Sequence, residues 1–181
     1  KQLKEADCSI TISTKSALIL RDIDILKELN HLKVAISINT LDNGFQKDMD
    51  NASSIAQRIA ALKELGKQGI YTVLFMSPIF PYITEFKEII EATEGFVCEY
   101  WFEDLNLRGG YKQEILSYID EKYPQYLSGY REIYNKKNLG YWKELASSID
   151  SYCVEKNIKY TNYFYHSLLV AEKSRQMVKQ V

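Results

Sequence analysis

The sequence predicts an α/β fold of parallel strands alternating with helices, and three observations carry that prediction. Runs of period-two alternation are interleaved with runs of helical spacing through the first 110 residues. The strand runs end in small polar residues, as in ITIST and VAISIN. Four strands separated by helices require parallel pairing through crossover helices, in either a barrel or an open doubly wound layer, and periodicity admits both. Strand faces favour the barrel. In the second strand Val34, Ile36 and Ile38 share one face and suit contact with helices, whereas Ala35, Ser37 and Asn39 share the other. A sheet face that turns polar toward its carboxyl end resembles a barrel lumen opening into a site.

Each element has its own signal. Residues 8–14, CSITIST, alternate as a strand, and LRDIDILKEL follows with helical spacing and Asp22 as its expected cap. Residues 33–40, KVAISINT, alternate again; SSIAQRIAALKELGKQG then places Ile55, Ile59, Leu62 and Leu65 on one helical face, with Gly69 to end it. IYTVLFMS, residues 70–77, is a strand stopped by Pro78, and Thr84 is the expected cap of a helix containing Phe86, Ile89 and Ile90 that closes near Gly95. FVCEYWFE, residues 96–103, is the fourth strand. Past Gly110 the composition changes: twelve of the fourteen tyrosines lie from Tyr100 onward, on segments that read mainly as helices, with IKYTNYF at 158–164 a short strand candidate. Aromatics at helical spacing point to packing rather than to base stacking. The division expected is therefore residues 1–110 as a partial barrel and 111–181 as a mainly helical extension packed on it.

Composition weighs against several functions, leaving nucleic acid as a possible partner only through a local basic patch. A formal net charge of −1 lends nucleic-acid binding no long-range support, and no apolar run is long enough for a bilayer span. The chain reads as cytoplasmic. Cys8, Cys98 and Cys153 are far apart, unlike the tight spacing of metal or redox motifs, so they are expected to be small buried hydrophobes and no metal site is expected.

Polar residues at the carboxyl ends of parallel strands converge whatever their separation in sequence. Those residues are Thr14, Lys15 and Ser16 after the first strand, Ser37 and Asn39 on the second, Ser77 on the third, and Glu103, Asn106 and Arg108 on the fourth. Alternation puts Glu99, Trp101 and Glu103 on one face, aiming Glu103 at the mouth where Lys15 arrives. Gly109 and Gly110, before a helix, can present backbone N–H groups to an anion beside the Arg108 guanidinium. Neither His31 nor His166 has a base or nucleophile adjacent in sequence.

The blocks ITISTKSALILRDIDILKEL, VAISINTLD, GIYTVLFMSPIFPYITEFKEII and YWFEDLNLRGGYK, in this order, resemble radical S-adenosylmethionine (SAM) proteins of the spore-photoproduct-lyase-like group. The resemblance covers roughly residues 8–135. It implies strands three to six of a six-unit partial (β/α) barrel, with a helical aromatic-rich tail. It also implies the cofactors, SAM and a [4Fe-4S] cluster held by a CxxxCxxC loop, which together yield a 5′-deoxyadenosyl radical that abstracts hydrogen from substrate. No such cysteine triplet occurs here, so the resemblance places the cluster loop upstream and implies no radical chemistry by these residues alone. It puts Lys15, Ser16, Ser37 and Asn39 near the ribose and carboxylate of SAM, Ser77 beneath its adenine, and Glu103, Asn106 and Arg108 on the substrate side. Ser13, Thr14 and Lys15 stand where a genuine lyase has its cysteine hydrogen donor, so the substrate and the catalytic residue are open. The rival expectation is a non-catalytic interaction module that self-associates through the exposed sheet edge at Cys8–Thr14.

Overall fold

The computed structural model describes residues 3, 5, 7–107 and 109–164; Arg108, His166 and the helical segment expected after Phe164 lie outside the described residues. Five strands form one sheet: β1 (Ile10–Thr14), β2 (Leu32–Ser37), β3 (Tyr71–Ile79), β4 (Glu99–Asp104) and β5 (Tyr160–Asn162). All neighbours are parallel and their order is β1-β2-β3-β4-β5. This sequential order decides between the two architectures left open above. Right-handed crossovers that always step the same way lay every helix on the same face, whereas a doubly wound sheet reverses direction and is covered on both. The chain is thus an α/β sheet of the partial-barrel kind.

The register fixes the two faces. Val34, Ile36, Leu74, Met76, Tyr100 and Phe102 are buried in the core. Over them lie α3 (Ile55–Lys67), which brings Ala61, Leu62 and Leu65, and α4 (Phe86–Glu91), whose Phe86 ring meets Phe102 edge-on at 6.3 Å. The opposite face carries Thr11, Lys33, Ala35, Ser37, Tyr71, Val73, Phe75, Glu99, Trp101 and Glu103; Thr11 is exposed, while Ala35, Ser37, Val73 and Glu99 are buried.

Local chemistry explains where the elements start. Ser54 and Gln57 form a reciprocal capping box at the head of α3, and Asp42 accepts from Gly44 and Phe45 N–H at the head of α2 (Asn43–Met49). Gly69 adopts φ +76° just past α3, as a helix-ending glycine should. Several expectations fail for identifiable reasons. Asp22 makes no capping bond; it pairs with Arg21, and the segment folds as a 3-10 turn (Ala17–Asp22) and one helical turn, α1 (Ile23–Leu26). Thr84 does not cap α4 but accepts from Phe80 N–H and donates to the Asn39 carbonyl, tying two loops. Pro78 does not stop β3, which runs on to Ile79 through a cis Ser77–Pro78 bond. Of the cysteines only Cys153 is buried; Cys8 and Cys98 are exposed.

The tyrosine-rich second half, α5 (Gly109–Lys122), α6 (Leu127–Tyr134) and α7 (Gly140–Glu155), is fastened to the loop after β3. Tyr82 sits there with φ +64°, and its ring stacks on Tyr126 at 5.4 Å and leans on Tyr141 at 4.7 Å. The Tyr82 N–H donates to the Tyr141 hydroxyl at 3.0 Å. Gly129 makes this possible, because a Cβ there would lie 2.5 Å from the Tyr82 ring. Nearby, the buried Tyr130 hydroxyl has no hydrogen-bond partner among the described residues.

Two outcomes follow in denaturant melts. Gly→Ala inside a helix ordinarily stabilises by about 1 kcal/mol, but Gly129→Ala should instead destabilise by about 1–3 kcal/mol through overpacking against Tyr82, and should recover in a Tyr82→Ala background. Tyr130→Phe should be neutral or stabilise by about 1 kcal/mol, since it removes an unsatisfied buried hydroxyl.

Candidate functional site

The carboxyl ends of β1–β4 bring most of the sequence-selected residues to one rim, though not with the contacts expected of them. Ser37 and Asn39, each 7% exposed, donate to the Ser77 carbonyl at 2.9 Å and the Pro78 carbonyl at 2.8 Å. The Ser77 hydroxyl donates to the Glu103 carboxylate. Ser16 caps the 3-10 turn, its hydroxyl accepting from Leu18 N–H at 3.2 Å. Lys15 arrives at the rim but meets Asp50 at 3.4 Å rather than Glu103. Asn106 is exposed beyond β4. Gly109 and Gly110 open α5 as expected, with free space where a Cβ would be.

The group that organises this rim was not among the sequence-selected residues. Arg58, only 1% exposed, projects from the first turns of α3 and spends its guanidinium on three acceptors. These are the Ser53 carbonyl at 2.7 Å, the Ser37 carbonyl at 3.1 Å and the Asp50 carboxylate at 2.5 Å. Asp50 also accepts from Gln46 at 2.9 Å and Ala52 N–H at 3.1 Å. Burial on its own would raise the Asp50 pKa, but the bonds from Arg58, Gln46 and Ala52 outweigh it and hold the carboxylate below its usual range. An ionised Asp50 in turn fixes the Lys15 ammonium at the mouth. Helical spacing does set Arg58 between Ile55 and Leu62 on the apolar face, but an arginine there reads as one whose head group reaches out to solvent, and the sequence does not show the acceptors that keep it inside.

A second charged group sits at the opposite end of the same face. The Glu99 carboxylate, 5% exposed as a side chain, accepts from Lys33 at 2.7 Å, Trp101 Nε1 at 2.9 Å, Thr161 at 3.0 Å and Tyr71 at 3.1 Å. Burial acts to raise its pKa, yet these four donors together bring it down to about 2. Back at the rim, Asp104 behaves oppositely. Burial, aided by repulsion from Glu103, raises its pKa to about 6. The sheet thus holds one carboxyl strongly acidic at its floor and another near neutrality at its mouth.

Comparisons with known proteins bear on the family and on the fold. Residues 1–93 match the family model described as the radical SAM superfamily. An uncharacterized protein of Methanocaldococcus jannaschii is 37% identical over 137 residues, spanning 74% of this chain and 51% of that protein. An uncharacterized protein of Mycobacterium tuberculosis is 23% identical over 136 residues, spanning 70% of this chain and 40% of that protein. The chain therefore spans about half the length, or less, of the curated relatives it matches. The crystal structure of Streptococcus suis SuiB bound to S-adenosylmethionine superposes with a TM-score of 0.59 at 16% identity, over 84% of this chain and 32% of that one. At that identity the likeness is one of fold.

The two carboxyls give stability opposite pH trends. Glu99, depressed from 4.5 to about 2, contributes stability that is complete above its unfolded pKa and is lost as pH falls through that interval. Asp104, raised from 3.8 to about 6, contributes stability that is complete below its unfolded pKa and is lost as pH rises through about 6. Chemical denaturation across pH 2–7 should show Glu99→Gln reducing the acid-side loss, to which Asp50 also contributes, and Asp104→Asn flattening the slope between about 4 and 6.

Proposed function

The chain belongs to the radical SAM superfamily, and on that premise we propose that it forms the SAM- and substrate-facing wall of an enzyme using S-adenosylmethionine as its radical precursor. The observation that carries this reading is the convergence of Lys15, Ser37, Asn39, Ser77 and Glu103 at the carboxyl ends of adjacent parallel strands. A rim of that kind is where such sheets bind ligands.

The residues present fit a nucleoside bearing an amino-acid moiety. Lys15 uses part of its ammonium on Asp50 and, with its side chain 38% exposed, keeps N–H donors for a carboxylate. Ser16, beside it, offers its hydroxyl proton, since its oxygen serves only as the acceptor for Leu18 N–H. Asn39 is committed through its NH₂ to Pro78, which leaves its amide oxygen as an acceptor for ribose hydroxyls; Ser37, locked to the Ser77 carbonyl, positions that loop. Ser77 would lie beneath the adenine, and its bond to Glu103 fixes a carboxylate that would face the substrate, with Asn106 beyond it; Arg108, expected there from the sequence, lies outside the described residues. When bound, and given one electron by a reductant from outside these residues, SAM would release methionine and supply a 5′-deoxyadenosyl group able to remove a hydrogen atom from a nearby C–H bond.

The cysteines do not fit an iron–sulfur cluster. Cys8 and Cys98 are exposed, Cys153 is buried in the core, and no three His, Cys, Asp or Glu side chains gather into a metal-holding group among the described residues. No step is assigned to a cluster on these residues; in this reading its ligands come from elsewhere in the whole protein. The ordered sequence blocks support a place near the spore-photoproduct-lyase-like branch, with a substrate of its own.

Calorimetric titration with SAM should show binding to the chain, weakened roughly tenfold by Lys15→Gln and by Asn39→Ala, the usual worth of a hydrogen bond to a charged or buried partner. The whole protein, supplied with iron, sulfide and a reductant, should release 5′-deoxyadenosine. Absence of both binding and product would overturn the reading.

A further inference from the structure

The two oxygens of the Asp50 carboxylate have different partners. Oδ1 accepts three bonds from the interior, from Arg58 Nη2 at 2.5 Å, Gln46 Nε2 at 2.9 Å and the Ala52 N–H at 3.1 Å. Oδ2 faces the rim, where Lys15 Nζ lies 3.4 Å away. One atom closes the knot around Arg58, and the other is given to Lys15. Charge follows the same line. Arg58, buried behind the carboxylate, offsets Asp50, so the three groups together carry one positive charge and present it on Lys15. Asp50 fixes where the ammonium sits and leaves its attraction for an anion in place.

A second tether acts on the same turn. The Ser53 hydroxyl accepts the Ala17 N–H at 2.9 Å, and the Thr14 hydroxyl accepts the Ser16 N–H at 3.0 Å. Lys15 and Ser16 are thereby held by Asp50 and Ser53 of one loop. That loop is anchored in turn through the Ser53 carbonyl, which accepts from Arg58 at 2.7 Å. Every group in this arrangement lies within residues 14–58, so it asks nothing of residues upstream of β1. A lysine carries its charge on a flexible four-carbon stem, and ordering that stem when a ligand arrives costs affinity. Fixing it beforehand removes part of the cost.

We propose that Asp50 is a positioning residue for SAM, holding Lys15 where the carboxylate of the methionine moiety meets its ammonium. The proposal rests on the reading of the rim as the SAM site and adds to it a residue that acts only through Lys15. It gives the two carboxylate oxygens separate duties, Oδ1 to the fold and Oδ2 to ligand binding.

That division makes Asp50→Asn informative. Its amide oxygen can keep the bonds from Arg58, Gln46 and Ala52, while its NH₂ turns a donor toward the Lys15 ammonium, which has no acceptor to offer. Calorimetric titration of SAM into the whole protein should show Asp50→Asn binding about fivefold more weakly, the usual cost of ordering one long side chain on binding. In a Lys15→Gln background the same change should have no effect, because the residue it acts through is gone. An Asp50 that serves the fold alone would weaken SAM equally in both backgrounds. The SAM-free protein gives a second readout. The Lys15 ammonium should show a nitrogen–proton resonance apart from the averaged lysine signal, assigned by its loss in Lys15→Gln, and Asp50→Asn should merge it with that signal. Ser53→Ala, which alters no charge, serves if Asp50→Asn does not fold, and should weaken SAM about threefold, the worth of one hydrogen bond. Equal losses in the two backgrounds, an unchanged or tighter SAM affinity in the folded variant, or a Lys15 resonance already averaged in the unaltered protein would each overturn the proposal and leave the SAM reading intact. An unaltered protein that binds no SAM would overturn both.

Discussion

A guanidinium sealed from water must find acceptors inside the protein, and among the described residues Arg58 does so with each of its three nitrogens. Its acceptors come from the end of β2, from Asp50 and from the residue before the head of α3. Removing a single partner would strand a buried charge, which costs far more than the pair contributes. The path of the chain from Ser37 to Ile55 is therefore constrained at both ends. Ser53, whose carbonyl binds Arg58, also accepts the Ala17 N–H through its hydroxyl at 2.9 Å, so the turn after β1 is tied to the same knot. Lys15 is delivered to the rim as a by-product of satisfying an arginine that never touches solvent.

The open face of the sheet repeats this logic in a second place. Glu99 could not stay ionised so deep in the structure without its four donors, which come from β2, β3, β4 and β5. Cross-strand hydrogen bonds to a single carboxylate thus lock four strands in register on the side that lacks a hydrophobic cover. Between the two charged knots lies the aromatic strip of Phe75, Trp101 and Tyr163, which adds apolar contact to that of the buried Ala35 and Val73 on this face. One face is held by close-packed aliphatic residues under helices; the other is held by polar bonds whose geometry leaves usable surface.

Most of the architecture was legible in the residues. Alternation located all five strands, including the brief β5, because a strand half-covered on one face shows its period directly. The barrel-like order could be favoured from the polar ends of β1 and β2, but it took the pairing to exclude a doubly wound sheet. The site was legible as a set of positions and illegible as a set of contacts. Lys15, Ser37, Asn39, Ser77 and Glu103 do gather, since parallel strands send their carboxyl ends to one side. That Lys15 would choose Asp50, that Thr84 would bridge loops and that Asp22 would turn to Arg21 depends on distances across the fold, which spacing along a chain does not encode. Arg58 and Glu99 were hidden for the same reason: a buried charge is recognisable only through its partners, and the ion-pair partners Asp50 and Lys33 lie 8 and 66 positions away.

The sequential strand order also has a kinetic side. Apart from the last pair, each strand docks on the one just before it in the chain through a single short crossover, so assembly can proceed by growth from one edge with modest loop-closure entropy. β5 is the exception, since residues 105–159 must be laid down as helices before Tyr160–Asn162 can dock on β4. Until then β4 is a sheet margin, and Glu99 lacks its Thr161 bond. On a growing nascent chain, the half-built sheet would wait longest at this one position.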